Sequence, residues 1–167
     1  GDNILANDLA GRVTRFRKAV MDREGVVTFH VHPGNSGHNT AFAASQEAET
    51  IEVECTTLDA VLPPGGTVDL VKIDAEGAEP YVLRGMPRTI ADNPKLRIVL
   101  EFAPEHLARS GVPAPRFFDE ILDLGFEVKL VDDLTGELRP ADRNTLIGRE
   151  SSMLLLSLRP EPAGGAS

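Results

Sequence analysis

The sequence predicts a single α/β domain built around a parallel sheet, and three observations carry that prediction. Its 167 residues, 41% of them hydrophobic, suit one globular domain and argue against wholesale disorder. Residues 68–74 (VDLVKID) and 96–102 (LRIVLEF) are two β-rich runs. Apolar residues at helical spacing separate the two runs. A strand, a crossover helix and a second strand form a βαβ unit, in which the strands are parallel.

The N-terminal part predicts one short helix followed by three strands. Residues 1–11 have helical spacing of apolar side chains and end at a glycine. Residues 12–20 alternate as a strand, and residues 26–31 form a second one after a turn. Residues 51–55 alternate again, which predicts a third strand.

The centre of the chain predicts a short helix, a strand and a longer helix. Residues 57–62 form one or two helical turns and end at a PPGG breaker. After the strand at residues 68–74, Glu79 and Pro80 begin a helix that stops at Asn93. Its apolar stripe consists of Val82, Leu83, Met86 and Ile90.

The last third predicts a helix and two strands. The helix covers residues 115–124, and the strands cover residues 126–131 and 152–158. No long helix separates these strands, so we expect them to pair antiparallel. Residues 160–167 read as a flexible tail, which leaves residues 1–159 as the domain.

The composition argues against several classes of partner. Twenty-six acidic and 17 basic side chains give a formal charge of -9, which disfavours binding to nucleic acid or to anionic membranes. No apolar run is long enough to span a bilayer. The single cysteine, Cys55, lies in a strand and suits a packing role in a reducing compartment. We therefore expect a cytoplasmic protein.

The best candidate site lies at the carboxyl end of the 68–74 strand, because ligands of open α/β sheets bind at the carboxyl ends of strands. Asp74 and Glu76 lie there, and Glu101 closes the next strand. Such carboxylates can hold a cationic ligand or a metal, orient a hydroxyl, or act as a base. Glu79 fits a structural role at the helix start. Lys72 either pairs with one of these acids or points off an exposed face.

The histidines form a second set of candidates. His30 and His32 alternate onto one face of a strand, a spacing that metal ligands can have, but no further ligand is near and solvent exposure is the better interpretation. His38 lies in the polar loop 33–41, where it could accept a proton from a substrate hydroxyl, although an ordinary surface histidine is the favoured interpretation. His106 follows the second strand and gives only a weak signal.

One segment carries a resemblance to a known family. Residues 68–79 (VDLVKIDAEGAE), with Val82, Leu83 and Gly85 after them, closely resemble the signature of the FkbM-type methyltransferases. Similar features recur over residues 3–158, at residues 12–29, 57–59, 98–101 and 117–126. Together these features form a specific set.

The resemblance implies an enzyme that depends on S-adenosylmethionine and has the Rossmann-like class I fold. That fold has a mostly parallel sheet with an antiparallel C-terminal strand pair. Its cofactor loop and ribose-binding acid precede a helix that residues 1–9 resemble. We therefore expect the chain to lack the N-terminal βαβ unit. The two strands of that unit would lie between the 12–20 strand and the 68–74 strand.

The resemblance also implies roles for individual residues in cofactor binding. Ala19 and Val20 would lie by the adenine, with Asp22 near it. Asp74 and Glu76 would lie beside the sulfonium.

On the acceptor side, the resemblance implies in-line transfer of a methyl group to a hydroxyl of a small molecule or glycan. Asp74 and Glu76 would also lie beside the acceptor, and Glu101 would line its side of the site. Asp74 is the first choice as proton acceptor, and His38 is the second. Asp74, Glu76 and Glu101 could hold a metal, although nothing in the sequence demands one, and no metal is predicted.

Two other functions remain open on the sequence alone. The chain could be a non-enzymatic α/β module for binding or assembly. It could also be a metal-dependent hydrolase that uses Asp74, Glu76, Glu101 and His38. The methyltransferase ranks first.

Overall fold

A computed structural model of the chain describes residues 2–31, 41–42 and 49–159. The described strands form two sheets, one of three strands and one of five. The helices that lie between the strands of the five-stranded sheet in the chain pack into the same hydrophobic core as those strands.

The three-stranded sheet comes from the N-terminal part, after a short helix α1 at Asp2–Ala6. Its strands are β1 (Ala19–Val20), β2 (Gly25–Val31) and β3 (Glu49–Thr56), in the order β1-β3-β2. β2 pairs antiparallel with β3, whereas β1 pairs parallel with it.

The predicted strand over residues 12–20 is wrong except for its last two residues. Residues 12–18 are exposed, and Phe16, the largest apolar side chain among them, is 58% exposed. Alternation alone therefore does not make this segment a strand, because nothing buries its apolar face. Cys55, in contrast, is buried in a small core with Met21, Val27 and Ala78, which confirms its packing role.

The five-stranded sheet is mixed, which corrects the prediction of a mostly parallel one. Its strands are β4 (Leu70–Ile73), β5 (Arg97–Phe102), β6 (Phe126–Val131), β7 (Leu138–Pro140) and β8 (Ser152–Leu158). Their order is β4-β5-β8-β6-β7. β4 and β5 are parallel, as predicted, but the other three pairings are antiparallel. The mixture arises because β8 enters between β5 and β6 and runs opposite to both. The antiparallel pairing of β6 with β8 is confirmed.

In the part of the chain that the structure describes, six further helices follow the small sheet. They are α2 (Leu58–Val61), α3 (Glu79–Arg84), α4 (Pro87–Asp92), α5 (Pro104–Arg109), α6 (Ala114–Asp123) and α7 (Arg143–Ile147). The single helix predicted after β4 is divided into α3 and α4. Pro87 disfavours helical backbone at the residue before it, and Met86 accordingly has φ -134°.

One face of the large sheet carries the main core. Along β5, Ile98, Leu100 and Phe102 are fully buried, and the residues between them are less so. Phe102 stacks on Phe117 of α6, with ring centroids 6.1 Å apart. Because side chains alternate along a strand, Glu101 lies on the opposite face of β5. This placement turns Glu101 away from the main core and toward the site described next.

Candidate active site

A pocket of about 540 Å³ lies between β1 and β4, the edge strands of the two sheets. Most of its lining is apolar. The lining residues are Ala19, Val20, Met21, Phe29, Ala41, Leu58, Val71, Lys72, Ile73, Asp74, Ala75, Glu76, Ala78 and Val82. The pocket is therefore a hydrophobic cleft with one basic and two acidic side chains at the carboxyl end of β4.

The turn between β4 and α3 sets the position of these acids. Glu76 has φ +51° and Gly77 has φ +102°, so two successive residues adopt left-handed backbone. A Cβ atom at Gly77 would lie 2.6 Å from the carbonyl oxygen of His106, a separation that only glycine permits. The turn consequently approaches α5 closely.

Glu79 holds this turn from inside. Its carboxylate accepts hydrogen bonds from the backbone N–H of Ala75 at 2.8 Å and of Gly77 at 3.0 Å. The side chain is buried, and this burial raises the pKa of Glu79 despite those hydrogen bonds. Its structural role, predicted from its place at the helix start, is confirmed.

Asp74 lies on the pocket wall and forms an ion pair. Its Oδ2 accepts from Nζ of Lys72 at 2.5 Å. Both side chains are about half exposed, at 43% for Asp74 and 57% for Lys72. Of the two interpretations of Lys72, pairing with an acid is the one that the structure shows.

Glu76, Glu101 and His106 converge beside the pocket. One potential ligand atom from each lies within 4.8 Å of the other two. His106 Nδ1 is 3.2 Å from Glu76 Oε2. Burial, together with the charges of Asp74, Glu79 and Glu76, raises the pKa of Glu101 to about 7. We name these three residues the Glu-Glu-His cluster.

The structure places most of the predicted cofactor residues around this pocket. Ala19, Val20 and Asp74 line it. Asp22 is not among the lining residues and forms an ion pair with Arg23 at 3.1 Å.

The predicted acceptor-side residues divide between the pocket and the cluster. Asp74 and Glu76 line the pocket, and Glu101 meets Glu76 in the cluster without lining the pocket. His38 lies outside the described residues.

The sequence gives only a weak indication of His106, and of the apolar walls it predicts only Ala19 and Val20. His106 follows β5 by four residues and reaches Glu76 only because α5 packs against the turn at Gly77. Met21, Phe29 and Leu58 come from three separate segments, and no local pattern joins them. The one sequence feature that points to this contact is that His106 follows Glu101, the acid at the end of β5, by five residues.

An apolar pocket with acids at the carboxyl ends of parallel strands defines an α/β protein with a small-ligand site. The comparison with protein families then specifies the class. The family model described as Methyltransferase FkbM domain matches residues 2–128, so the chain belongs to the FkbM methyltransferase family. Membership indicates methyltransferase activity, and in general a small-molecule or glycan acceptor. No curated protein and no solved structure matches the chain significantly.

The helices of the described residues are short. Among the residues that the structure describes, none of the helices has the length and hydrophobicity needed to cross a bilayer. The longest of them, α6, has 10 residues.

Proposed function

We propose that the protein transfers a methyl group from S-adenosylmethionine to a hydroxyl of a small molecule or glycan. The observation that carries this proposal is the apolar pocket between β1 and β4 with Asp74 and Glu76 on its wall. Family membership supports the reaction class, and the pocket is the proposed binding place of the donor.

The two kinds of pocket wall suit the two ends of the donor. The apolar side chains near Ala19 and Val20 offer a surface on which the adenine ring can pack. The sulfonium carries a positive charge, which the carboxylates of Asp74 and Glu76 attract. Bound in this way, the methyl group would face the carboxyl end of β4.

The chemistry requires little more than alignment and a proton acceptor. The hydroxyl oxygen attacks the methyl carbon, the new C–O bond forms as the C–S bond breaks, and S-adenosylhomocysteine leaves. Holding the two reactants in line supplies most of the rate. Asp74 is the proposed acceptor of the hydroxyl proton, because it lies on the pocket wall within reach of solvent. His38 remains the second candidate for that role.

The proposal is tested by calorimetric titration of S-adenosylmethionine and by transfer of a labelled methyl group to hydroxylated acceptors, using protein expressed from its complete gene. We expect binding with a Kd below about 1 mM, the upper end of ordinary substrate affinities. Absence of donor binding would overturn the proposal.

A matched pair of variants tests the location of the site. Asp74→Asn removes a carboxylate at the pocket end of β4, whereas Asp69→Asn changes an exposed aspartate just before the other end of the same strand. We expect Asp74→Asn to weaken donor binding about two- to fivefold, the value of a half-exposed charge contact. Methyl transfer should fall by about 10²-fold or more, as for loss of a general base. Equal losses in both variants would contradict the assignment.

A further inference from the structure

We propose that Glu76, Glu101 and His106 form a binding site for one divalent cation that accepts both oxygen and nitrogen ligands, of the Mn²⁺ or Zn²⁺ kind. The three residues come from three separate elements: the turn after β4, the end of β5, and α5. This site differs from the metal set considered from the sequence, because His106 replaces Asp74, which is paired with Lys72.

The spacing of the three residues suits an ion. Bonds of about 2.1 Å allow two ligand atoms on one such cation to be at most about 4.2 Å apart. The three candidate atoms all lie within 4.8 Å of one another. Neighbouring ligands on a tetrahedral ion lie about 3.4 Å apart, so closing the remaining gap requires each side chain to move inward by up to about 1 Å.

Two atoms of the cluster lack the partners that buried polar atoms normally have. Glu101 Oε2 and His106 Nδ1 are shielded from solvent, and neither makes a hydrogen bond with any residue that the structure describes. The 3.2 Å contact of His106 Nδ1 with Glu76 Oε2 does not have hydrogen-bond geometry. Buried atoms of this kind usually have a partner, and a cation would give both atoms one.

The local charge also favours a cation. The carboxylates of Asp74, Glu76 and Glu79 act electrostatically on Glu101, and Lys72, which is paired with Asp74, opposes them only in part. Like charges gathered so closely repel one another, and a positive charge between them would offset that repulsion. Two carboxylate oxygens and one imidazole nitrogen suit Mn²⁺ or Zn²⁺ better than Ca²⁺, which takes six to eight oxygen ligands.

The backbone holds the ligands in place before any ion arrives. Glu79 fixes the turn that carries Glu76, and Gly77 lets that turn lie against the carbonyl of His106. Ligands fixed in this way lose little freedom when they bind.

Three protein ligands leave coordination positions open to water or to an acceptor hydroxyl. Glu76 belongs to both the cluster and the pocket wall, so a hydroxyl held by the ion would lie beside the donor. This role toward the acceptor rests on the proposed methyl transfer, whereas the existence of the site does not.

The test titrates the protein with MnCl₂ and follows free Mn²⁺ by its electron paramagnetic resonance signal, without any methyl-transfer assay. We expect one bound ion per chain with a Kd below about 1 mM, which ZnCl₂ displaces. Glu76→Gln, Glu101→Gln and His106→Gln should each weaken binding by at least about tenfold. Glu105→Gln changes an exposed acid next to His106 and should bind as the unchanged protein does.

Control measurements separate loss of the cation site from loss of the fold. Circular dichroism and thermal unfolding of each variant show whether the fold is retained, and the three glutamine variants support the proposal only where it is. Failure to bind Mn²⁺ below about 1 mM would overturn the proposal. Equal weakening by Glu105→Gln would also overturn it, because binding would then follow general surface charge. Methyl transfer in the absence of any Mn²⁺ binding would disprove the cation site and leave the proposed function standing.

Discussion

Replacing Gly85 with alanine should loosen the contact between the small sheet and α3. A Cβ atom at Gly85 would lie 2.1 Å from the carbonyl oxygen of Met21, whereas real Cβ atoms essentially never approach closer than 3.0 Å. The missing 0.9 Å must come from movement of backbone on one side, because both partners are main chain. Met21 directly follows β1 and lines the pocket, so this movement would also disturb the pocket.

The magnitude follows from two opposing effects. Overpacking of this kind costs about 1–3 kcal/mol. Alanine also reduces the freedom of the unfolded chain, which returns about 0.4–1 kcal/mol. We therefore expect Gly85→Ala to lower the free energy of unfolding by up to about 2.6 kcal/mol. The middle of both ranges gives about 1.3 kcal/mol, which lowers the Tm by roughly 3–5 °C.

Gly148 provides the matched control. Gly85 caps α3 with φ -86° and ψ 9°, and Gly148 caps α7 with φ -81° and ψ 0°, so their backbones are nearly the same. A Cβ at Gly148 would meet its nearest neighbour at 3.8 Å, an ordinary contact. Gly148→Ala should thus keep or slightly raise stability. Urea unfolding of both variants measures the difference, and equal stability of the two would refute the close-approach argument.

Two other substitutions test how the site is held. Asp59 accepts hydrogen bonds from the N–H groups of Arg88 and Thr89 at the start of α4, so Asp59→Ala should cost about 1–2 kcal/mol in urea unfolding. Burial alone would raise the pKa of Asp59, but the hydrogen bond that the Thr89 hydroxyl donates, together with these two backbone hydrogen bonds, outweighs burial and lowers it. The stabilisation by Asp59 is therefore complete above about pH 4 and is lost as the pH falls further. If the free energies of unfolding of Asp59→Ala and the unchanged protein differed by the same amount at acidic pH, this interpretation would be contradicted. Gly77→Ala places a Cβ atom 2.6 Å from the carbonyl oxygen of His106 at a residue with positive φ, whereas Gly111→Ala changes a residue with φ +78° and open space around it. In urea unfolding, Gly77→Ala should lower the free energy of unfolding by about 1–3 kcal/mol more than Gly111→Ala does. Equal decreases in the two variants would mean that the positive φ alone, and not the close contact, is responsible.

The part of the fold that the sequence predicts best is the unit of β4, α3 and β5. Two apolar runs of strand length with helical spacing between them admit few other arrangements, and the parallel pairing follows from the crossover. β7 and α7 were not predicted, because three and five residues are too few to show a period. The position of β8 between β5 and β6 depends on long-range packing, which no local pattern records.

Of the candidate site, the sequence predicts mainly the acidic residues at the strand ends. Acids at the ends of neighbouring strands can be placed from the sequence, because parallel strands end at the same edge of a sheet. The partner of Glu76 could not be placed in this way. His106 lies on a helix that reaches the turn only where Gly77 has no side chain, and that approach is a tertiary feature. The apolar wall from Met21 and Phe29 has the same origin, since it comes from the other sheet.

The turn after β4 explains why four polar or small residues occur so close together in the family signature. The Glu79 side chain points inward and accepts hydrogen bonds from the backbone of the turn, so its carboxylate stabilises the fold and is not available to bind a ligand directly. Gly77 has no side chain, so α5 can lie close to the turn. Glu76, just before it, has a left-handed backbone conformation. Asp74 remains on the pocket side, paired with Lys72. A substitution of Glu79 would therefore affect both acids through the backbone, whereas substitutions of Asp74 and Glu76 should separate, one acting on the pocket and the other mainly on the Glu-Glu-His cluster.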